Sequence, residues 1–97
     1  MDVYELVIRK GAQKTIARQS RPVREQMIKE IDLLRIDPDD PALDIERVTG
    51  GPELRLKFKG AARQFRAIFL RDDGSRTIDV RVIAPPGQVY DQRRLRR

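Results

Sequence analysis

The chain has 97 residues, 37% of them charged, and a formal net charge of +6. It contains no cysteine and no histidine. Disulfides, thiolate metal sites, a histidine-ligated zinc centre, a Ser-His triad and an imidazole base are therefore excluded.

The N-terminal half predicts a strand followed by two helices. Residues 3–8 are rich in β-branched and aromatic types, as is typical of a strand. Residues 12–19 have a short helical pattern, and Pro22 suits the first turn of a second helix. From Val23 onward apolar residues recur every three or four positions, until two prolines within residues 37–41 end the pattern. We therefore predict a helical hairpin after the first strand.

The C-terminal half changes to the period of two that is typical of strands. After a glycine-rich connection, residues 54–59 alternate apolar and basic side chains. Residues 65–70 are almost continuously apolar, and residues 77–84 alternate again before two prolines stop that strand. Residues 60–63 and 72–75 are predicted as turns, and residues 88–97 as a short basic tail.

The order β-α-α-β-β-β predicts an α+β fold. We expect the helical hairpin to pack on one face of a mainly antiparallel, twisted sheet. The other face would then expose Arg55 and Lys57 beside Arg66. The length fits one domain over residues 1–97.

Positive charge is concentrated in the second half of the chain. Residues 55–97 contain 12 basic and 4 acidic residues, whereas residues 1–54 contain 9 and 11. Such a region attracts polyanions and acidic proteins. No apolar run is long enough to cross a bilayer and no signal-peptide core follows Met1. We expect a cytoplasmic protein without a metal or other cofactor.

Arg66 is the most informative single residue, because it interrupts an apolar strand. An arginine there requires a partner to offset its desolvation. One interpretation is an ion pair with Asp79 or Glu53, and the other is a bidentate phosphate site. For Lys59 the alternatives are protection of a sheet edge and nucleic-acid binding. The basic tail is either a solvated terminus or a non-specific polyanion contact.

The same residues provide the groups that RNA cleavage requires. A 2′-hydroxyl must lose its proton, the phosphate must be stabilised as charge develops, and the leaving 5′-oxygen must be protonated. Without histidine, a lysine beside other cations can act as the base. Arginines can hold the phosphate, and a tyrosine such as Tyr90 can stack on a base.

Three segments stand in a fixed order along the chain: the helical segment VREQMIKEID, then VTGGPELRLKFKGAARQFRAIFL, and last the late VY pair. On these segments the chain resembles the RelE/ParE superfamily of bacterial toxins. Within these segments Gly50, Leu54–Lys57 and residues 65–69 match the family pattern of a connector and two strands.

The resemblance implies a small toxin that is neutralised by an acidic, partly disordered antitoxin. A RelE-like member would be a metal-independent endoribonuclease that cuts mRNA on the ribosome and inhibits translation. Its catalytic residues would be Lys57 as base, Arg55 and Arg66 as phosphate ligands, and Tyr90. The further residues expected to bind RNA are Lys59, Arg63, Arg81, Arg93 and Arg94.

The sequence departs from the RelE-like pattern just before Tyr90. Residues 84–87 contain no basic residue or histidine, which RelE-like nucleases usually carry there. Arg81 or the C-terminal arginines would have to replace it. Two alternatives therefore stay open: a ParE-like inhibitor of DNA gyrase without nuclease activity, and an inert descendant that only binds its antitoxin.

Overall fold

The computed structural model describes residues 3–86 of the chain. Two α-helices pack against one face of a mixed β-sheet. The elements are β1 (Glu5–Ile8), α1 (Lys10–Ala17), α2 (Arg21–Ile36), β2 (Ile45–Arg47), β3 (Leu54–Lys57), a 3₁₀ turn (Gly60–Ala62), β4 (Arg66–Asp72) and β5 (Thr77–Ala84). Neither helix within residues 3–86 is long and apolar enough to cross a membrane.

The sheet has five strands in the order β1-β5-β4-β3-β2. β2 to β5 form an antiparallel meander, and β1 lies parallel to β5 at the edge. The predicted α+β fold, with a helical hairpin on a mainly antiparallel sheet, is confirmed. β2 was missed, because three residues are too few to display an alternating pattern.

The helices begin and end where local chemistry allows. α2 starts at Arg21 with proline in its first turn, and it ends where the Asp37 N–H donates to the Leu33 carbonyl. It buries Met27, Ile31 and Leu34 at the spacing of one helical face. The predicted periodicity is thus confirmed, and Pro22 lies in the first turn as predicted, where its missing N–H leaves no hydrogen bond unmade.

The main core lies between the helices and the sheet, and we call this side of the sheet the helix face. Its largest fully buried side chains are Phe69, Met27, Leu34, Leu56, Ile78 and Val80. Each such side chain contributes about 1.5–3 kcal/mol by leaving water. A second, small cluster of Val48, Ile68 and Ala84, with Val82 packed on it, contains no helical residue. It therefore marks the opposite side, the open face.

A register shift between Ile68 and Phe69 divides β4 into two halves. Ile68 pairs with Val82, whereas Phe69 pairs with Val80, so Arg81 is the extra residue of a bulge. Bulges bend a strand and redirect the side chains around them. Here Ile68 lies in the open-face cluster and Phe69 in the core, as neighbours on a pleated strand should.

Candidate nucleic-acid interface

The basic residues predicted on β3 and β4 come together on the open face. Lys57 lies directly opposite Arg66, and Arg55 lies opposite Ile68. On the other side of β3, Glu46 of β2 lies opposite Arg55. The predicted placement of Arg55 and Lys57 beside Arg66 therefore agrees with the register of the sheet.

Arg66 is held by backbone carbonyls. Its Nη1 donates to the Arg63 carbonyl at 2.8 Å and to the Phe65 carbonyl at 3.0 Å. Within residues 3–86 it forms no ion pair with a carboxylate, so the alternative interpretation of a pair with Asp79 or Glu53 is not observed. Carbonyls orient a guanidinium without cancelling its charge, which leaves Arg66 suited to an anionic ligand.

Arg55 has a carboxylate partner that the sequence did not reveal. Its Nε donates to Glu46 Oε1 at 2.8 Å, with the Arg55 side chain 19% exposed. This hydrogen bond from Arg55 lowers the pKa of Glu46, and the charges of Lys57 and Arg66 act in the same direction against the opposing effect of desolvation. Glu46 thus lies in the field of all three cations.

Lys57 has a looser acidic neighbour. Its Nζ lies 3.9 Å from Asp44 Oδ2, and its side chain is 37% exposed. The backbone joins the same residues, because the Lys57 N–H donates to the Asp44 carbonyl at 2.8 Å. Both acidic neighbours of the basic cluster therefore come from β2 or the residue before it.

Lys59 and Arg63 belong to the turn and not to a strand, since β3 ends at Lys57. Lys59 Nζ donates to the Ala42 carbonyl at 2.6 Å, and Arg63 Nη1 donates to the Gly60 carbonyl at 3.1 Å. The prediction that the strand runs through residue 59 is wrong by two residues. Each of these two cations is therefore hydrogen-bonded to a backbone carbonyl.

Arg81 contacts an acid. Its Nε lies 3.5 Å from Asp79 Oδ2, and Asp79 also pairs with Arg9 at 2.8 Å. The hydrogen bond from Arg9 is the main reason that the pKa of Asp79 is lowered. The predicted residues Tyr90, Arg93 and Arg94 lie outside the described residues.

A second arginine of β4, Arg71, has a contrasting environment. It donates to Asp73 Oδ1 at 2.7 Å and to both oxygens of Asp39 at 2.7 and 3.0 Å. Its Nη2 also lies 3.4 Å from the Tyr4 hydroxyl. A cleft of about 510 Å³ opens beside this cluster, towards Arg47 and Phe69.

Within residues 3–86 no group of three or more carboxylates is placed to hold a metal ion. Arginine and lysine bind phosphate directly, and a cluster of three such cations can stabilise developing negative charge on its own. The arrangement on the open face is therefore suited to a polyanion.

Among known proteins, the chain matches solved structures. No protein-family model and no curated protein matches the chain. Solved structures do match. The chain is similar to the archaeal RelE-RelB complex from Pyrococcus horikoshii OT3, at 16% identity and a TM-score of 0.73 over 90% of this chain and 99% of that chain. The fold is that of RelE toxins.

Two further structures have the same RelE fold. A mutant of E. coli toxin RelE in the free state is 22% identical, with a TM-score of 0.68 over 93% of each chain. The RelBE2 toxin-antitoxin complex from Mycobacterium tuberculosis is 12% identical, with a TM-score of 0.66 over 87% of this chain and 99% of that chain. The TM-scores establish the RelE fold. Because the identities are low, the function has to be argued from the side chains of this chain.

Proposed function

We propose that this chain is the toxin of a type II toxin–antitoxin pair and a RelE-type endonuclease that cuts mRNA on the ribosome. The observation that carries the proposal is Arg66, which is oriented by two carbonyls and lies opposite Lys57 on the open face. A guanidinium anchored through one nitrogen can present its remaining donors to a phosphate. The RelE fold supports the same conclusion.

In this proposal Arg66 and Arg55 bind the scissile phosphate. Arg66 is available at once, whereas Arg55 has to exchange Glu46 for a phosphate oxygen. Both sites would gain strength as charge develops on the non-bridging oxygens in the transition state. The affinity for RNA would therefore depend on the competition between a phosphate and Glu46.

Lys57 is proposed as the base. It takes the proton of the 2′-hydroxyl, whose oxygen then attacks the adjacent phosphorus and displaces the 5′-oxygen, leaving a 2′,3′-cyclic phosphate. The leaving oxygen takes a proton from solvent water in the same step. Because residues 84–87 contain no basic residue, Arg81 or a C-terminal arginine is proposed to assist at that oxygen.

The remaining predicted residues are proposed to bind the RNA strand. Lys59, Arg63, Arg93 and Arg94 add positive charge, which strengthens binding without reading sequence. Tyr90 is proposed to stack on a base of the codon. These contacts would hold the mRNA in place while Arg66 and Lys57 act on one phosphate.

The proposed partner is an acidic antitoxin segment that folds on this surface. Several structures with the same fold are complexes of RelE with RelB. An acidic segment would complement the excess of basic residues in positions 55–97. Co-purification with an acidic product of an adjacent gene is the expected observation.

The test is induced expression of the chain, with primer extension on an abundant mRNA. We expect growth arrest and cuts inside translated codons, both removed by combining Lys57→Ala with Arg66→Ala. The matched control combines Arg21→Ala with Lys29→Ala on the exposed side of α2. It removes two positive charges, as the test variant does. A double variant at Lys57 and Arg66 that stays fully toxic would refute the assigned site.

A gyrase inhibitor is the second candidate, favoured by the acidic neighbours of Arg55 and Lys57. Those carboxylates reduce the charge that RNA would meet. Chromosomal DNA from the same cells therefore has to be examined. Cleaved DNA with intact mRNA would favour gyrase poisoning, and the absence of any growth defect would favour an inert antitoxin-binding descendant.

A further inference from the structure

Glu30 of α2 is the one charged residue that is buried among residues 3–86, with 5% of its surface exposed. Its Oε2 accepts hydrogen bonds from Gln26 Nε2 at 2.7 Å and from the Lys59 N–H at 2.8 Å. Its Oε1 is buried and has no hydrogen-bond partner. Burying a carboxylate is costly unless it is fully hydrogen-bonded, so this residue requires an explanation.

The explanation lies in the 3₁₀ turn that starts next to the Lys59 N–H. Lys59 directly precedes the 3₁₀ turn, and its carbonyl accepts from the Ala62 N–H at 3.2 Å. The next bond of the turn joins the Arg63 N–H to the Gly60 carbonyl at 3.1 Å. Glu30 thus ties the start of the turn to the helix, 29 residues away in sequence.

The end of the same turn holds Arg66. The Phe65 N–H donates to the Ala62 carbonyl at 2.9 Å. The carbonyls of Arg63 and Phe65 then point at Arg66 Nη1, at 2.8 and 3.0 Å. An unbroken series of hydrogen bonds therefore runs from the buried carboxylate to the guanidinium.

Gly60 brings the turn close to the helix. Its φ is +57°, in the left-handed region that favours glycine, and a Cβ there would lie 3.6 Å from the Gln26 side chain. Gln26 also donates to Glu30, so the two side chains of α2 support the turn together. The turn is thereby fixed relative to α2.

We propose that Glu30 is a positioning residue for Arg66. The proposal rests on the proposed function, in which Arg66 binds a phosphate of RNA. Glu30 fixes the turn, the turn fixes two carbonyls, and the carbonyls aim the guanidinium across the sheet from Lys57. An apolar residue would fill the same space but would leave the Lys59 N–H without its acceptor.

The first test measures binding of a fluorescent single-stranded RNA oligonucleotide to the purified full chain. Glu30→Ala should weaken binding about tenfold, close to the effect of Arg66→Ala. Glu30→Gln should restore affinity to within about twofold of wild type, because an amide oxygen can still accept from Lys59. Met27→Ala, a core change on the same helix, controls for lost stability and should leave affinity unchanged while folded.

A double-mutant cycle shows whether Glu30 acts through Arg66. The combination of Glu30→Ala and Arg66→Ala should bind RNA no more weakly than Arg66→Ala alone. Losses that multiply would mean that Glu30 affects binding by another route, and would overturn the proposal. A loss for Met27→Ala equal to that for Glu30→Ala would do the same, because it would point to stability alone.

NMR separates this proposal from the proposed function. In Glu30→Ala we expect faster exchange of the Lys59 amide and altered Arg66 side-chain signals, whether or not RNA binds. If wild type fails to bind the free oligonucleotide, the NMR comparison alone decides the positioning, and primer extension in cells decides the proposed function separately. Arg66 signals identical in wild type and Glu30→Ala would show that the carboxylate does not position the guanidinium.

Discussion

The two ends of β4 carry the same residue type in opposite circumstances. Arg71, near the hairpin, donates to Asp39, Asp73 and Tyr4, and these hydrogen bonds raise its pKa further. Arg66, at the start of the strand, donates only to carbonyls among the described residues. Both guanidinium groups are charged, but carboxylates balance the charge of Arg71, whereas Arg66 has carbonyl acceptors.

The difference comes from the chain segments that meet each end of the strand. Arg71 faces the acidic loop after α2 and the acidic β4–β5 hairpin, which provide Asp39 and Asp73. Arg66 faces a turn without acidic residues, which provides only backbone oxygens. An arginine's role is therefore decided by its acceptors: carboxylates make Arg71 a structural link, and carbonyls make Arg66 a prepared ligand.

The largest expected effect is on function at Arg66. Arg66→Ala should reduce mRNA cleavage about a hundredfold, as loss of one donor to a developing oxyanion does elsewhere. Because no ion pair within residues 3–86 is broken, the melting temperature should change by no more than about 2 °C. Primer extension and thermal melting of the same variant check both parts. Unchanged cleavage would place the phosphate site elsewhere.

Arg71→Ala should show the reverse behaviour. It removes the link between the α2 loop, the hairpin and Tyr4, the residue before β1, and the melting temperature should fall by about 5–10 °C. Cleavage should persist at temperatures where the variant is folded. Circular dichroism melting measures the first effect, with the exposed Arg21→Ala as the matched control. A variant that melts like wild type but is not toxic would reverse the assignments of the two arginines.

Low pH should weaken the ion pairs of Arg71, because they depend on the charged carboxylates of Asp39 and Asp73. Hydrogen bonding to Arg71 lowers the pKa of Asp39, whereas the Tyr4 hydroxyl is the first cause and Arg71 the second of the lowered pKa of Asp73. A carboxyl whose pKa is lower in the folded state stabilises the protein above its unfolded pKa, about 3.9. That stability is lost as the pH falls below about 4 and through the folded pKa.

Carboxyl titration by NMR can test this assignment. In Arg71→Ala the pKa of Asp39 should return towards its ordinary value, while that of Asp73 stays lowered by Tyr4. Aspartates titrate below about pH 4. Between about pH 4 and pH 2 the free energy of unfolding should therefore fall less in the variant than in wild type. Equal upward shifts at both aspartates would mean that the Tyr4 bond depends on Arg71.

The sequence revealed some of these features and hid others for physical reasons. Arg66 was identifiable because it interrupts an apolar strand, and the observed bounds of β5 are the predicted ones. Glu46 was not identifiable, since its place beside Arg55 depends on pairing between β2 and β3 that three residues do not disclose. The partners of Arg71 were hidden as well, because Asp39 is 32 residues away in sequence.

The smallest effect we predict is at Glu46. This carboxylate pairs with Arg55 beside Arg66, so the open face also has one arginine with an acidic partner, as Arg71 has. Glu46→Gln keeps an acceptor for Arg55 but removes the charge that competes with phosphate. Affinity for the RNA oligonucleotide should rise about threefold, since exposed ion pairs are weak. Asp32→Asn, which removes an equal charge from the Arg35 pair on α2, is the matched control and should have less effect. Tighter binding with unchanged cleavage would identify Glu46 as a competitor for Arg55. Cleavage reduced more than about tenfold would instead show that the carboxylate takes part in the reaction, and the proton acceptor would then have to be sought at Glu46 as well as at Lys57.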